Sequence, residues 1–353
     1  MSTQRNARPS GATAQASDQP APRLFVFIAL LLAIVFVIAV LAGAKVLANR
    51  QTYTPVEMGP VDAPGAQSTQ CTDAVGSAPD KLADFRQVEV MEPAPEGVLA
   101  YRDSSGTELT IRCGVTLPDQ YTVMSPIHQT EDTGWFEVKD ATPGSSLHTW
   151  YSVTGTPEFA VTSEADTDSV VDALSEFSPL VTDANGDSEA PTANALPLVE
   201  DKKAKGSKAV CTKFANKLPE EIEGYRRLSA DEAKQTLADN AKASGAERGK
   251  NVTNAERAID TGAVIYQPKE SGFEPVVIRC GVKFPSEYRP GERVTQVDSV
   301  PWFDAPALAK GSTSGRWYAI GHEQVVAVAM PQASGDGVIP AVSDAIEASM
   351  KTR

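Results

Sequence analysis

Ile111-Arg112-Cys113-Gly114-Val115 recurs letter for letter as Ile278-Arg279-Cys280-Gly281-Val282. Around both copies the chain keeps step with itself. At one constant offset Pro118 matches Pro285, Tyr121 matches Tyr288, Trp135-Phe136 matches Trp302-Phe303, and Trp150-Tyr151 matches Trp317-Tyr318. Upstream, at a second offset, Cys71-Thr72, Pro79, Leu82, Phe85 and Arg86 match Cys211-Thr212, Pro219, Ile222, Tyr225 and Arg226. All tryptophans and all cysteines of the chain fall into these pairs. A unit this long is a whole domain, since solenoids and propellers repeat over far shorter periods. The sequence therefore predicts two tandem homologous domains, over residues 71–181 and 211–353.

Between its two offsets the second copy is longer, chiefly through Ser229 to Ala258, where the apolar content is almost only alanine plus Leu237. A segment so poor in apolar area is expected to be a solvated helical excursion, opened by the capping box Ser229-x-x-Glu232.

Within each copy, period-two alternation puts Leu109, Ile111, Cys113 and Val115, or Val276, Ile278, Cys280 and Val282, on one face of a strand. The cysteine then points into the core, and Arg112 or Arg279 faces away from it. Further strands are expected at Val98 to Tyr101, Trp150 to Val153 and Phe159 to Thr162, matched by Ala263 to Tyr266, Trp317 to Ile320 and Val325 to Ala329. A short helix closed by Pro79 or Pro219 should open each copy. An amphipathic helix should end it, with Val170, Val171, Leu174 and Phe177 or Val338, Ile339, Val342 and Ile346 on its apolar face. The fold class is α+β, each domain a mostly antiparallel sheet with an opening and a closing helix.

Leu24 to Ala44 holds only Leu, Ile, Val, Phe, Ala and Gly. At ~1.5 Å per residue it spans about 30 Å, one hydrocarbon core. It is read as a transmembrane helix after a cytoplasmic tail at 1–23; a cleaved signal is the rival, because Ala42-Gly43-Ala44 resembles a cleavage site. Residues 45–70, with Pro55, Pro60 and Pro64, read as an extended tether, and 182–210, with the charge run Glu200-Asp201-Lys202-Lys203, as a flexible exposed linker.

One cysteine pair per copy, at equivalent places, is the pattern of a disulfide framework in an oxidising compartment. Three pairings are open to four cysteines; a domain that folded alone before duplication favours Cys71 with Cys113 and Cys211 with Cys280. This places both copies outside the membrane. Zinc is disfavoured, because the cysteines come singly and the three histidines, His128, His148 and His322, are not clustered. The net charge is −14; residues 1–50 carry five basic residues and one acidic residue, +4, which leaves −18 for the rest. An acidic exported part argues against nucleic acid and against lying on an anionic lipid surface.

The aromatic pairs read first as packing. If they serve a partner, adjacent strand residues face opposite sides, so one member each of Trp150-Tyr151 and Trp317-Tyr318 is the candidate contact. Arg112 and Arg279 are candidates for anchoring a partner group, against the plainer reading of sheet-surface charge. Gly311-Ser312-Thr313-Ser314-Gly315 has a Thr where a nucleophile elbow needs its Ser, and reads as a turn. Neither a catalytic constellation nor a cofactor or metal motif is legible.

The Arg-Cys-Gly-Val strand, an upstream Cys, a later Trp and a single amino-terminal membrane helix resemble the family called domain of unknown function 3515, found in exported proteins of high-GC Gram-positive bacteria. The second copy resembles it better, because Gly272-Phe273-Glu274-Pro275 precedes its strand, a proline step the first copy lacks. The resemblance implies an envelope protein with no assigned activity and no functional residues to transfer. The function expected is an envelope-anchored interaction or scaffold module, with an envelope enzyme of hydrolase type as the alternative. The expected partner is an envelope protein or glycan; oligomeric state is left open.

Overall fold

The computed structural model describes residues 23–131, 133–181, 191–199, 208–245, 249–305 and 313–353. Residues 1–22, most of the linker including its charge run, and residues 311–312 of the glycine-bounded turn lie outside the described residues.

The first helix, α1 (Arg23–Thr52), belongs to a unit of its own, and Thr52–Arg353 forms a second compact unit. The candidate span of α1 is Leu24–Leu47, 24 residues with Lys45 near its end, long enough to cross a membrane as an anchor or to belong to a signal sequence. The helix outlasts the expected end at Ala44, so residues 45–52 are helical. Further on, the tether is packed against the sheet: Val56 pairs with Val90 in a parallel bridge, and Val56 and Met58 are buried against Ala100.

The first domain runs α2 (Thr69–Gly76), β1 (Lys81–Leu82), β2 (Phe85–Val88), β3 (Val98–Arg102), β4 (Glu108–Cys113), β5 (Ile127–Thr130), β6 (Thr133–Lys139), β7 (His148–Ser152), β8 (Phe159–Ser163) and α3 (Thr167–Phe177). The second runs α4 (Lys208–Ala215), β9 (Glu221–Ile222), β10 (Tyr225–Arg227), α5 (Ala230–Ala243), α6 (Lys250–Asp260), β11 (Ala263–Pro268), β12 (Val276–Val282), β13 (Thr295–Val297), β14 (Val300–Ala305), β15 (Ser314–Ala319), β16 (Val325–Pro331) and α7 (Gly335–Glu347). The strand orders, β1-β2-β3-β4-β8-β7-β6-β5 and β9-β10-β11-β12-β16-β15-β14-β13, are the same path, antiparallel throughout. The fold is α+β with two similar sheet domains. The four outer strands of each sheet were not legible as strands: two pairs are very short, and the others surround the Trp-Phe pairs.

Each inner face carries the core. In the first domain Leu109, Ile111 and Cys113 meet Val170, Leu174 and Phe177 of α3; in the second, Ile278 and Cys280 meet Phe214 of α4 and Val338, Val342 and Ile346 of α7. Caps set where the helices of the first domain start: Ser68 accepts from Cys71 N at 3.2 Å and Asp166 from Ser169 N at 3.0 Å. Two of the buried indoles donate to hydroxyls. Trp135 Nε1 donates to Thr130 Oγ1 at 2.9 Å, beside Ser178 just past α3, and Trp302 Nε1 donates to Ser343 Oγ of α7 at 3.0 Å. Tyr101 and Tyr266 donate to the carbonyls of Pro79 and Pro219, tying the prolines that follow the opening helices to the sheet.

The structure joins Cys71 to Cys113 and Cys211 to Cys280, with Cα separations of 5.6 and 5.5 Å. The glycine after each strand cysteine has a backbone reason. Gly114 and Gly281 both sit at φ +72°, and a Cβ on Gly114 would lie 2.1 Å from the backbone of Gly65.

Two expectations about solvent exposure are corrected. The insert at 229–258 does begin with the Ser229/Glu232 capping box, but it is no solvated excursion. Ala233 and Leu237 of α5 and Val252, Ala255 and Ile259 of α6 are buried on the outer face of the second sheet, against Ile265, Val277, Phe303, Tyr318, Ala327 and Ala329. Alanines suffice because they let the helices approach the sheet closely. Linker residues 191–199 join the same cluster, with Leu196 and Leu198 both 3 % exposed beside Val123 and Met124 of the first domain.

Candidate functional site

Strand alternation carries Arg112 and Arg279 to the outer faces of their sheets, as their sequence positions require. Their surroundings then diverge. Arg279 is 4 % exposed and its guanidinium donates to the Leu198 carbonyl beneath the insert. Arg112 is half-buried, and its side chain makes no hydrogen bond or ion pair among the described residues. Burial lowers its pKa from the ordinary guanidinium value.

Arg112 lines a groove of 680 Å³ with Thr110 of β4, Thr162 of β8, the β3–β4 turn Ser105-Gly106-Thr107, and Glu57 of the segment after α1. The register explains its polar floor. Thr110 pairs with Thr162 where Val277 pairs with Ala329 in the second domain, and Thr149 pairs with Thr162 where Arg316 pairs with Ala329. Thr149 and Thr162 share a hydroxyl–hydroxyl bond of 2.9 Å, and Thr110 Oγ1 donates to the Thr162 carbonyl at 3.4 Å. The turn above is held by Asp103, which accepts from the amides of Ser105 and Thr107 at 2.8 Å. Three carboxylates, Glu57, Glu108 and Glu164, border the groove. Glu108 pairs with Arg102 at 2.5 Å, while Glu57 and Glu164 have no ion pair among the described residues.

The aromatic candidates fare differently. Trp150 is fully buried and Tyr318 is 4 % exposed, so both are core; Tyr151 and Trp317 are half-buried, packed at the margins of core clusters. Tyr151 and Trp317 are thus the members that keep part of their surface open, on opposite faces of their respective sheets.

Sequence reading missed a buried polar cluster on the inner face of the first sheet. His148 Nδ1 lies 2.9 Å from Glu137 Oε1, and Ser271 of the β11–β12 loop donates to Glu137 Oε2. Burial pushes the Glu137 carboxyl up, but the hydrogen bonds from His148 and Ser271, with Lys139 nearby, outweigh it and hold its pKa below the usual carboxylate value. His128 packs edge-on to Trp150 at 4.8 Å, and burial lowers its pKa. The hydroxyl sits on the carboxylate and not on the imidazole, so His148 is not placed to take a proton from Ser271. The cluster joins domains: Lys139 N donates to Gly272 O at 3.0 Å next to it. Among the described residues no group of three or more His, Cys, Asp or Glu could hold a metal ion. His322 is buried in a bridge to Thr352, and Thr313 donates to Glu274; Ser314 and Gly315, expected in a turn, begin strand β15.

The model of the family described as "Protein of unknown function (DUF3515)" matches residues 30–188 and 254–353. The chain belongs to that family. The match falls in two parts, one on each sheet domain, and takes in the first domain whole but the second only from α6 onward. What it leaves between them is the linker, α4, β9, β10 and α5. Part of the cover over Arg279 therefore lies outside what the family model describes. No curated protein and no solved structure matches the chain.

Proposed function

We propose that the protein is a membrane-anchored interaction module of the cell envelope, held by α1 and exposing both sheet domains outside the membrane, and that it docks its partner on the outer face of the first sheet. One observation carries the reading: two equivalent sheet faces are treated unequally. The second is closed by α5, α6 and residues 191–199, and the first keeps a polar groove around an arginine whose side chain has no partner among the described residues. Two intradomain disulfides and an acidic exported part support an extracytoplasmic place. The partner class is an envelope component, and binding needs neither metal nor cofactor.

The test is photo-cross-linking in the intact envelope from a photoreactive residue at Thr110, with exposed Lys217 as control. A discrete adduct from position 110 and none from 217 is expected. No adduct from 110, or the same adduct from both, contradicts the reading.

A further inference from the structure

Resting on the docking face just proposed, we infer that the Arg112 groove takes a peptide segment of a partner protein, one that offers a main-chain carbonyl to Arg112 and a basic side chain to Glu57 and Glu164. The chain contains its own precedent. At the equivalent position Arg279 donates to the main-chain carbonyl of Leu198, in a segment that leaves a bridge at Asn194 and turns over the sheet. A guanidinium fork bonds a carbonyl in this way without needing a charged acceptor.

Differences between the faces say how the peptide in the first groove departs from residues 191–199. Val277 and Ala329, which receive the leucines' cluster, are replaced by Thr110 and Thr162, so the floor suits polar main-chain and small side-chain groups. With Glu108 engaged by Arg102, the groove offers one cation, Arg112, and two carboxylates, Glu57 and Glu164, that have no ion pair among the described residues. That balance repels a phosphate or an acidic peptide and attracts a segment carrying Lys or Arg beside its carbonyls.

A random octapeptide display library panned against the full chain in detergent micelles supplies the probe, and the most enriched peptide is then synthesised for binding measurements. Enriched sequences should carry Lys or Arg. Arg112→Ala should weaken the synthetic peptide about tenfold or more, with an unchanged melting temperature. The double variant Glu57→Gln/Glu164→Gln should weaken it about two- to fivefold and flatten its salt dependence. If Arg112→Ala does not fold, the double variant decides. Failure of enrichment, enrichment of acidic peptides, unchanged affinity in the variants, or Arg112-dependent binding of a neutral N-acetylhexosamine tetramer in place of any peptide would overturn the inference. Cross-linking from Thr110 that succeeds while panning fails removes the peptide alone and leaves the docking face standing; failure of both removes both.

Discussion

Arg112 and Arg279 stand one residue before the disulfide cysteine of equivalent strands, yet Arg279 is sealed against the Leu198 carbonyl and Arg112 opens on a groove. The difference comes from the insert α5–α6 and residues 191–199, which close the outer face around Arg279, whereas on the first sheet residues 191–199 reach only the cluster of Tyr121, Phe136 and Val153, through Ala193. A repeated domain has thus kept its core twice and its outer surface once.

If the insert is structural cover, Leu237 is its main anchor, with no exposed surface. Leu237→Ala should destabilise the protein by about 2–5 kcal/mol, the cost of deleting a buried leucine side chain. A solvated excursion would show a change within about 0.5 kcal/mol. Urea unfolding of the variant decides between them.

The two sheet domains also clasp through the β11–β12 loop. Gly272 has φ +85°, and a Cβ there would meet Lys139 Cγ at 2.6 Å and Lys139 N at 3.0 Å. Gly272→Ala should cost about 1–3 kcal/mol through backbone strain and the lost approach. Protein nicked within 182–210 should stay together on size exclusion, because Leu196, Leu198, Val123 and Met124 share one cluster with α5 and α6. The nicked Gly272→Ala protein should separate more readily. Halves that part at once in the parent would show that the shared cluster does not hold them.

Glu137 sets an acid limit. Its folded pKa is depressed, so its contribution is present above the unfolded value of about 4.3 and is lost as pH falls through the lower folded value. Glu137→Gln should lower the melting temperature at neutral pH, and the gap to the parent should narrow below about pH 4. A gap that is constant down to pH 2 would mean that the carboxylate's hydrogen bonds with His148 and Ser271 do not stabilise the fold.

Each disulfide closes a long loop, with sequence separations of 42 and 69 residues. Replacing Cys71 and Cys113 together by Ser should cost roughly 4 kcal/mol by loop-closure entropy, and the Cys211/Cys280 pair about as much. Chemical denaturation of the two double variants measures both, and peptide mapping of the parent without reductant should return only these two links.

Much of the architecture was readable because it is periodic or paired. The alternation around Cys113 and Cys280 gave the central strands and their inner faces, and Val170, Leu174 and Phe177 the closing helix. The covered face was missed although Val252, Ala255 and Ile259 of α6 recur at helical spacing, because the alanines of α5 and α6 bury little area each and total apolar content was weighed above period. Leu196 and Leu198, two isolated leucines among Pro, Ala and Asn, gave no periodicity at all. One signal for the groove was available: comparing Thr110 with Val277 and Thr162 with Ala329 shows one outer face polar and its equivalent apolar. The Glu137–His148–Ser271 cluster had none, since Ser271 comes from the other domain and the matching positions are Asp304 and Gly315.

The unequal cover of the two arginines is measured most directly by arginine-specific dicarbonyl modification of the native protein, followed by mass-spectrometric mapping over time. Arg112 should be modified at least about tenfold faster than Arg279, whose reaction requires breaking a buried charge-assisted hydrogen bond, and the two should react alike in denaturant. Equal rates in the native protein, or faster reaction at Arg279, would contradict the account.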